Sequence, residues 1–351
     1  MKEILRELCL AFGPSGYEDG VRAIIERELD SVMPRDSEII RDALGGIYLH
    51  IKNEGAPRLM LSAHMDEVGF MVTEITERGD VKFAPVGGID PLVLGAKRVI
   101  FENGTLGVIS TKPIHLLDKD EREKKPEISK MYADIGAKSK EEAQKTVHIG
   151  DYFTFKSDFV EFGQGLIKAK ALDDRHGCSA LLFAIRELVK SGEKSPYDLY
   201  FAFTTREEVG FSGALCASEI IKPELAIVIE SKAVLDLPEI PSERAVGALG
   251  EGALISYADR GAIMDRALTD ELISVCERNS IKYQINRAVS GGNDTNSIQG
   301  GAYGARVALI SAPSRYIHSG ACVISYSDFE CICNALFKFI TDKGVKDDRA
   351  S

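Results

Sequence analysis

Apolar residues recur at helical spacing in three parts of the chain. They mark one face of residues 18–33, one face of residues 173–191 and one face of residues 328–343. A repeat close to 3.6 residues is typical of an amphipathic helix. We therefore predict a helix in each of these segments.

Shorter apolar runs are typical of strands. Five of them stand out: "GGIYLHI", "RLMLSAH", "DLYFAFTT", "LAIVIES" and "RVALISA". Each of the last three precedes a loop and then a helical pattern, and strands that are apolar throughout have both faces covered. This alternation predicts an α/β fold, in which helices cover both faces of a doubly wound sheet.

The pattern changes between residues 70 and 167. Short β-branched runs broken by glycine, such as "GDVKFAPVGGID" and "HIGDYFTFKSDF", replace the long apolar runs. Small all-β modules have this pattern. We predict that residues 70–167 form an inserted β-rich domain, and that residues 1–69 and 168–351 form one discontinuous α/β domain.

Composition narrows the range of partners. The chain has 351 residues, 43 Lys and Arg against 54 Asp and Glu, and a net charge of -11, which argues against a nucleic-acid or anionic-membrane partner. The N-terminal pattern is amphipathic and lacks the uninterrupted apolar core of a signal peptide. The seven cysteines are odd in number and scattered, so we expect no disulfide framework and a cytoplasmic protein.

Residues able to bind metal follow several of the predicted strands. Two more acids stand at the start of the helix predicted from residue 173, and the full set is His64, Asp66, Asp173, Asp174, Glu207, Glu208, Glu230 and His318. The carboxyl ends of parallel strands converge on one crevice, so these side chains are expected to meet. A single histidine here would more often be structural, and adjacent acids at a helix start are usually caps. Together, however, so many charges are costly to bury without cations, and two metal ions would balance them.

The donor types indicate which metals to expect. Histidine and carboxylate without thiolate favour Zn²⁺, with Co²⁺ or Mn²⁺ as alternatives. Asp173 is the expected bridge between two ions, and Asp66 is expected to hold the second ring nitrogen of His64. Of the adjacent acids Glu207 and Glu208, one can bind metal while the other moves a proton.

Six motifs together resemble the tetrahedral aminopeptidases. They are "AHMDEVGF", "ALDDRHG", "TTREEVGFSGA", "IVIES", "GGNDTNSIQ" and "SRYIHSG", in that order along nearly the whole chain. This family of co-catalytic metallopeptidases includes glutamyl and deblocking aminopeptidases, and some members have been named endoglucanase or cellulase. The resemblance implies that His64 and Glu230 bind one metal ion, that Glu208 and His318 bind the other, and that Asp173 bridges the two. It also implies that Glu207 is the general base and that Asp66 lies behind His64.

The resemblance carries further expectations. It implies that the inserted domain is β-barrel-like and serves dimerisation, and that dimers assemble into a hollow dodecamer that admits peptides. Asp294 and Arg315 are its candidate substrate-binding residues, although Arg315, like Lys170, also suits a structural ion pair. His176 stands where relatives often have a small residue, and we expect it to be a partly exposed residue of the first helical turn.

The sequence thus predicts a dinuclear metallo-aminopeptidase that removes N-terminal residues from peptides, with Glu207 as general base. A metal-dependent N-acyl amino acid deacylase is the nearest alternative, because the same metal pair would serve it. An endoglucanase ranks lower, since cellulose clefts usually present aromatic platforms and the chain has no Trp. A non-catalytic peptide-binding scaffold is the remaining alternative.

Overall fold

The computed structural model describes residues 1–34, 36–119, 123–241 and 246–342. The helices are α1 (Lys2–Leu10), α2 (Asp19–Val32), α3 (Lys140–Ala143), α4 (Leu172–Ser191), α5 (Ser212–Ile221), α6 (Arg266–Arg278), α7 (Thr295–Gln299) and α8 (Tyr326–Thr341). The first nine strands are β1 (Ser37–Arg41), β2 (Ile47–Ile51), β3 (Arg58–His64), β4 (Gly69–Ile75), β5 (Val81–Val86), β6 (Arg98–Phe101), β7 (Leu106–Ser110), β8 (Tyr132–Asp134) and β9 (Tyr152–Phe155). The remaining strands are β10 (Val160–Phe162), β11 (Leu166–Ala169), β12 (Asp198–Thr204), β13 (Leu225–Ala233), β14 (Ala253–Ser256), β15 (Tyr283–Ile285), β16 (Arg306–Arg315) and β17 (Cys322–Ser325).

A large mixed sheet organises most of these elements. Among the described residues it has 11 strands, in the order β1-β2-β12-β3-β13-β16-β17-β11-β10, with β14 beside β16 and β15 beside β14. Its central strands β12, β3, β13 and β16 are all parallel to one another. The five strands predicted from apolar runs are β2, β3, β12, β13 and β16, so that prediction is confirmed.

Both faces of this sheet are covered, as the continuous apolar strands predict. Along β3, Leu59 and Leu61 belong to one buried cluster, and Met60 between them belongs to another. Helices α1, α2, α4, α6 and α8 contribute side chains to the first cluster, whereas α5 and α7 contribute to the second. The alternation follows from the strand geometry, in which successive side chains point to opposite faces.

The β-rich part of the chain closes into a barrel. Its strands run β4-β5-β8-β7-β6-β9 around the barrel, and it has an apolar core of its own that includes Phe70, Phe101 and Phe153. The barrel ends with β9 at Phe155. β10 falls inside the predicted insert of residues 70–167 but pairs with β11 in the large sheet.

The helix predictions hold with small shifts at their ends. α2 and α4 match the segments predicted at 18–33 and 173–191 within one residue at each end, and α8 begins and ends two residues before its predicted segment. Within α4, Asp173 and Asp174 depart from helical backbone angles. Across the described part of the chain, no helix combines the length and the apolar character needed to cross a membrane.

Candidate metal centre

Four parallel strands bring their carboxyl ends to one edge of the sheet. His64 is the last residue of β3 and lies opposite Thr204, the last residue of β12. Glu230 lies near the end of β13, and His318 follows β16 by three residues. Because parallel strands end on the same side, side chains far apart in the sequence meet here, as the sequence predicts.

Two donor sets share one carboxylate. The Nε2 atom of His64 lies 3.4 Å from Oδ1 of Asp173 and 3.5 Å from Oε1 of Glu230. The Nε2 atom of His318 lies 3.3 Å from Oδ2 of Asp173 and 3.3 Å from Oε2 of Glu208. Ligand atoms around a tetrahedral Zn²⁺ lie about 3.3 Å apart, since the bonds are about 2.0–2.1 Å long. The spacing in both sets therefore fits a metal ion.

Several polar atoms of the cluster have no hydrogen-bond partner although they are buried. They are Nε2 of His64, Oδ1 of Asp173, Oδ2 of Asp174 and Oε2 of Glu230. Buried polar atoms are paired in nearly all native structures, because an unpaired atom loses its hydration without gaining a hydrogen bond in the protein. Ligand atoms of His64, Asp173 and Glu208 lie within 4.8 Å of one another, as do those of Asp173, Asp174 and Glu230, so cations held there would satisfy the unpaired atoms.

The proton affinities of the site show the same surplus of negative charge. Burial raises the pKa of Glu208 to about 8, and burial together with the charge of Asp173 raises the pKa of Glu230 well above its ordinary value. Burial alone would lower the pKa of His318, but Asp173 and Glu208 raise it to about 9. Acids that take up protons in the absence of a cation release them when metal binds.

Asp66 supports this centre from behind. The Nδ1 atom of His64 lies 3.1 Å from the carbonyl oxygen of Asp66 and 3.3 Å from its Oδ1 atom. With a proton on Nδ1, the imidazole presents an unprotonated Nε2 atom to the donor set, as a metal ligand requires. Asp66 is thus in contact with the ring nitrogen of His64 that faces away from the donor set.

Glu207 lies beside the donor sets without belonging to either. It sits in the turn after β12 and is buried, and its backbone N–H donates to Oδ1 of Asp66. Burial and the charge of Glu230 raise the pKa of its carboxyl group well above the ordinary value. A buried carboxyl group with this property is suited to take up a proton and hold it.

The two candidate substrate-binding residues belong to neither donor set. Arg315 donates two hydrogen bonds of 2.7 Å to the carboxylate of Asp236 and thus forms a structural ion pair. Asp294 is 1% exposed and accepts a hydrogen bond from Oγ1 of Thr204 at 2.7 Å. Lys170, the other basic residue weighed from the sequence, lies 2.5 Å from Oε1 of Glu67.

The expectation for His176 is wrong. The residue is fully buried, and its Nε2 atom lies 3.1 Å from Oγ of Ser231 on β13. The first turn of α4 faces the sheet at this point, so the side chain has no route to solvent. Burial lowers the pKa of His176 to about 4, which keeps the ring neutral in the interior.

Sequence reasoning also missed the residues that hold the centre from the N-terminal side. Ser15 donates to Asp66, and Glu18 accepts from the backbone N–H of Arg206. Both lie in the stretch "GPSGYED", which shows no apolar periodicity. The only signal was a cluster of small and polar residues between two helices, which usually means a surface loop.

The M42 glutamyl aminopeptidase family model matches residues 45–334 of the chain. The chain therefore belongs to the M42 family. Over 97% of its length this M42 protein superimposes with a TM-score of 0.93 on 96% of a TET aminopeptidase from a marine sediment archaeon of the Thaumarchaeota, at 33% identity. It is 30% identical over 330 residues to the lysyl aminopeptidase of Pyrococcus furiosus, with 90% of each chain covered.

A third relative has a known assembly. The TET1 peptidase of Pyrococcus horikoshii, which can assemble into a tetrahedron or a large octahedral shell, is 32% identical and gives a TM-score of 0.85 over 97% of this chain and 99% of that one. The family predicted from the six motifs is thus confirmed, and with it the α/β fold. M42 peptidases are metallopeptidases, so the chain is a peptide hydrolase and an aminopeptidase by family.

Proposed function

We propose that this M42 aminopeptidase holds two divalent ions, with Asp173 between them, and removes N-terminal residues from peptides. The observation that carries the proposal is that the two oxygens of Asp173 face different histidines, at 3.4 Å from His64 and 3.3 Å from His318. Glu230 would complete the first donor set and Glu208 the second. Histidine and carboxylate donors suit Zn²⁺, with Co²⁺ and Mn²⁺ as alternatives.

The chemistry divides between the ions and the chain. When bound, two such ions would polarise the scissile carbonyl and make a nearby water more acidic. Glu207 is the general base in this proposal: it takes a proton from the attacking water and gives it to the departing amine. Asp66 supports both parts, because it holds His64 and accepts a hydrogen bond from the backbone of Glu207.

The named relatives favour a substrate with a free amine. They include a lysyl aminopeptidase and a glutamyl aminopeptidase, and an aminopeptidase acts on a peptide whose amino terminus is free. A deacylase would instead receive an uncharged N-acyl group at the same place. We therefore prefer the aminopeptidase.

The test compares Glu207→Gln with wild-type protein on aminoacyl chromogenic amides and on their N-acetylated forms, after Zn²⁺, Co²⁺ or Mn²⁺ is added back to chelator-treated protein. We expect Glu207→Gln to lose about 10²- to 10⁴-fold in kcat while keeping its metal. The exposed Glu54→Gln is the matched control and should be unchanged. Full turnover by Glu207→Gln would show that Glu207 is not the general base. Equal cleavage of the N-acetylated amides would indicate a deacylase.

Assembly and compartment complete the proposal. We infer a homo-oligomer that is built from dimers through the barrel and reaches a dodecamer. The inference rests on the likeness to the TET1 peptidase, which can assemble into a tetrahedron and whose structure has been solved as a dodecamer. Light scattering of the intact protein measures this directly. The seven cysteines are all free thiols, which suits the reducing cytoplasm.

A further inference from the structure

The connection between α1 and α2 lies against the loop that carries Asp66. We call residues 13–18 the connecting segment. The backbone N–H of Glu67 donates to the carbonyl of Gly13 at 3.0 Å, and the N–H of Ser15 donates to the carbonyl of Glu67 at 3.2 Å. The connecting segment is therefore fixed to the residue that follows Asp66.

Two buried side chains of this segment reach the metal centre's supporting loops. Oγ of Ser15 donates to Oδ2 of Asp66 at 2.5 Å. Oε1 of Glu18 accepts from the N–H of Gly16 at 2.7 Å and from the N–H of Arg206 at 3.3 Å. Glu18 stands at the start of α2, yet its side chain makes no capping hydrogen bond to that helix. Glutamate is not one of the residues that favour the N-cap position, so the direction of this buried side chain needs a reason other than capping.

The turn at 206–208 gives that reason. Its three successive backbone N–H groups are all held by carboxylates: the N–H of Arg206 by Glu18, and those of Glu207 and Glu208 by the two oxygens of Asp66, at 3.0 and 3.1 Å. Arg206 has a φ of 57°, in the left-handed region that residues other than glycine rarely adopt. Such a conformation persists only where the surroundings enforce it.

We propose that Ser15 and Glu18 are positioning residues for the peptidase reaction. By holding Asp66 and Arg206, they fix the turn from which the side chains of Glu207 and Glu208 project. The inference rests on the proposed function, in which Glu207 is the base and Glu208 a metal ligand. It adds a segment before residue 45, where the match to the family model begins, to the parts that set the geometry of the site.

The experiment compares Ser15→Ala, Glu18→Ala and Glu18→Gln. We expect each alanine variant to lower kcat by about 10- to 100-fold, as loss of a supporting hydrogen bond does, with KM little changed. Zn²⁺ titrated into the stripped proteins in a calorimeter should bind more weakly to both alanine variants than to the wild type. Glu18→Gln keeps an oxygen that accepts from Gly16 and Arg206, so it should restore kcat and affinity close to wild type.

A neighbouring acid supplies the matched control. Asp19 is exposed and pairs with Arg22 on the surface, so Asp19→Asn should leave kcat and Zn²⁺ affinity unchanged. Thermal unfolding of every variant separates misplacement of the turn from loss of folded protein. If Glu18→Ala does not fold, the kcat and the Zn²⁺ affinity of Ser15→Ala alone test the inference.

Three results would overturn the inference. The first is wild-type kcat in the folded alanine variants. The second is a loss in Glu18→Gln as large as that in Glu18→Ala, and the third is a fall in kcat that the unfolded fraction accounts for. Failure of the proposed function is a separate observation, because it requires Glu207→Gln to keep its turnover whatever Ser15 and Glu18 do.

Discussion

Two groups of buried charges lie side by side in this protein, and they are satisfied to different degrees. The first is the metal cluster, made of His64, Asp173, Glu208, Glu230 and His318. The second is the ion pair of Lys170 and Glu67, in which the ammonium donates to Oε1 of Glu67 at 2.5 Å and to the carbonyl of Ala11 at 2.6 Å, while Thr154 donates to the other oxygen at 3.0 Å. Both are buried.

The difference lies in what remains unpaired. Each oxygen of the Glu67 carboxylate has a donor, and Lys170 balances its charge together with Arg175, whose Nη2 atom lies 3.7 Å from Oε1. In the metal cluster, by contrast, Nε2 of His64 and Oδ1 of Asp173 have no hydrogen-bond partner, and acids are in excess. Burial of charge alone thus does not identify a functional site. Burial with unpaired atoms that face one another does, because such atoms indicate a ligand.

The largest effect is expected from a substitution at the centre of the metal cluster. Asp173→Asn removes the charge that both donor sets share, and we expect kcat/KM to fall by at least about 1000-fold, which corresponds to about 4 kcal/mol. The fold should survive, since the apolar clusters on the two faces of the large sheet do not include this side chain. Elemental analysis for bound metal, with peptidase assays on the same sample, checks both statements. An active Asp173→Asn with two ions per chain would contradict the bridging role.

The next effect breaks the balanced ion pair instead. Lys170→Met removes the cation that is hydrogen-bonded to Glu67 and leaves only Arg175, whose Nη2 atom lies 3.7 Å from Oε1, so it should cost about 3 kcal/mol of unfolding free energy. The metal content should stay at the wild-type value, because Lys170 belongs to neither donor set. Urea denaturation at fixed metal loading measures the cost.

Two further variants sharpen that measurement. Lys190→Met removes an exposed pair with Glu187 and should cost about 0–1 kcal/mol. The double variant Glu67→Gln/Lys170→Met should recover part of the stability, since the buried carboxylate that lost Lys170 is then uncharged, while Arg175 keeps its hydrogen bonds to the carbonyls of Leu8 and Gly13. A Lys170→Met protein that is as stable as wild type would show that the pair of Lys170 and Glu67 does not stabilise the fold. A Lys170→Met protein that loses its metal would show that this pair and the metal cluster are not independent.

The metal cluster and the pair of Lys170 and Glu67 also differ in how far local sequence patterns predict them. Apolar runs predict the central strands, because strands that are buried on both faces have a recognisable pattern. A general rule of topology then places His64 and Glu230 at one edge of the sheet, since parallel strands end on the same side. The partners of Lys170, Ser15 and Glu18 depend on contacts between segments far apart in the chain. No local pattern encodes them.

Two other differences have the same physical origin. His176 was expected at the surface because the first turn of a helix usually meets solvent, but here that turn packs on β13. β10 has three exposed residues, so its own pattern does not indicate which sheet it joins. Its pairing is decided by β11, which the central sheet already holds through β17.

The last expected effect is a pH dependence that arises in the metal cluster. In the metal-free protein, the pKa of Glu208 is raised from 4.5 to about 8 and that of His318 from 6.5 to about 9. Both groups therefore bind more protons in the folded state than in the unfolded state. Their contribution to stability is complete below the unfolded pKa values and is lost as the pH rises through about 8 and about 9.

Bound ions would take the place of those protons, so the metal-filled protein should not follow the same course. We expect the gap in melting temperature between metal-filled and metal-free protein to widen between pH 6 and pH 9, by about 2 °C for each 1 kcal/mol lost. Scanning calorimetry of chelator-treated and Zn²⁺-refilled samples at several pH values measures the gap. A gap that stays constant over this range would mean that the acids of the metal cluster do not exchange protons for cations, and the distinction from the Lys170 pair would then lose its electrostatic basis.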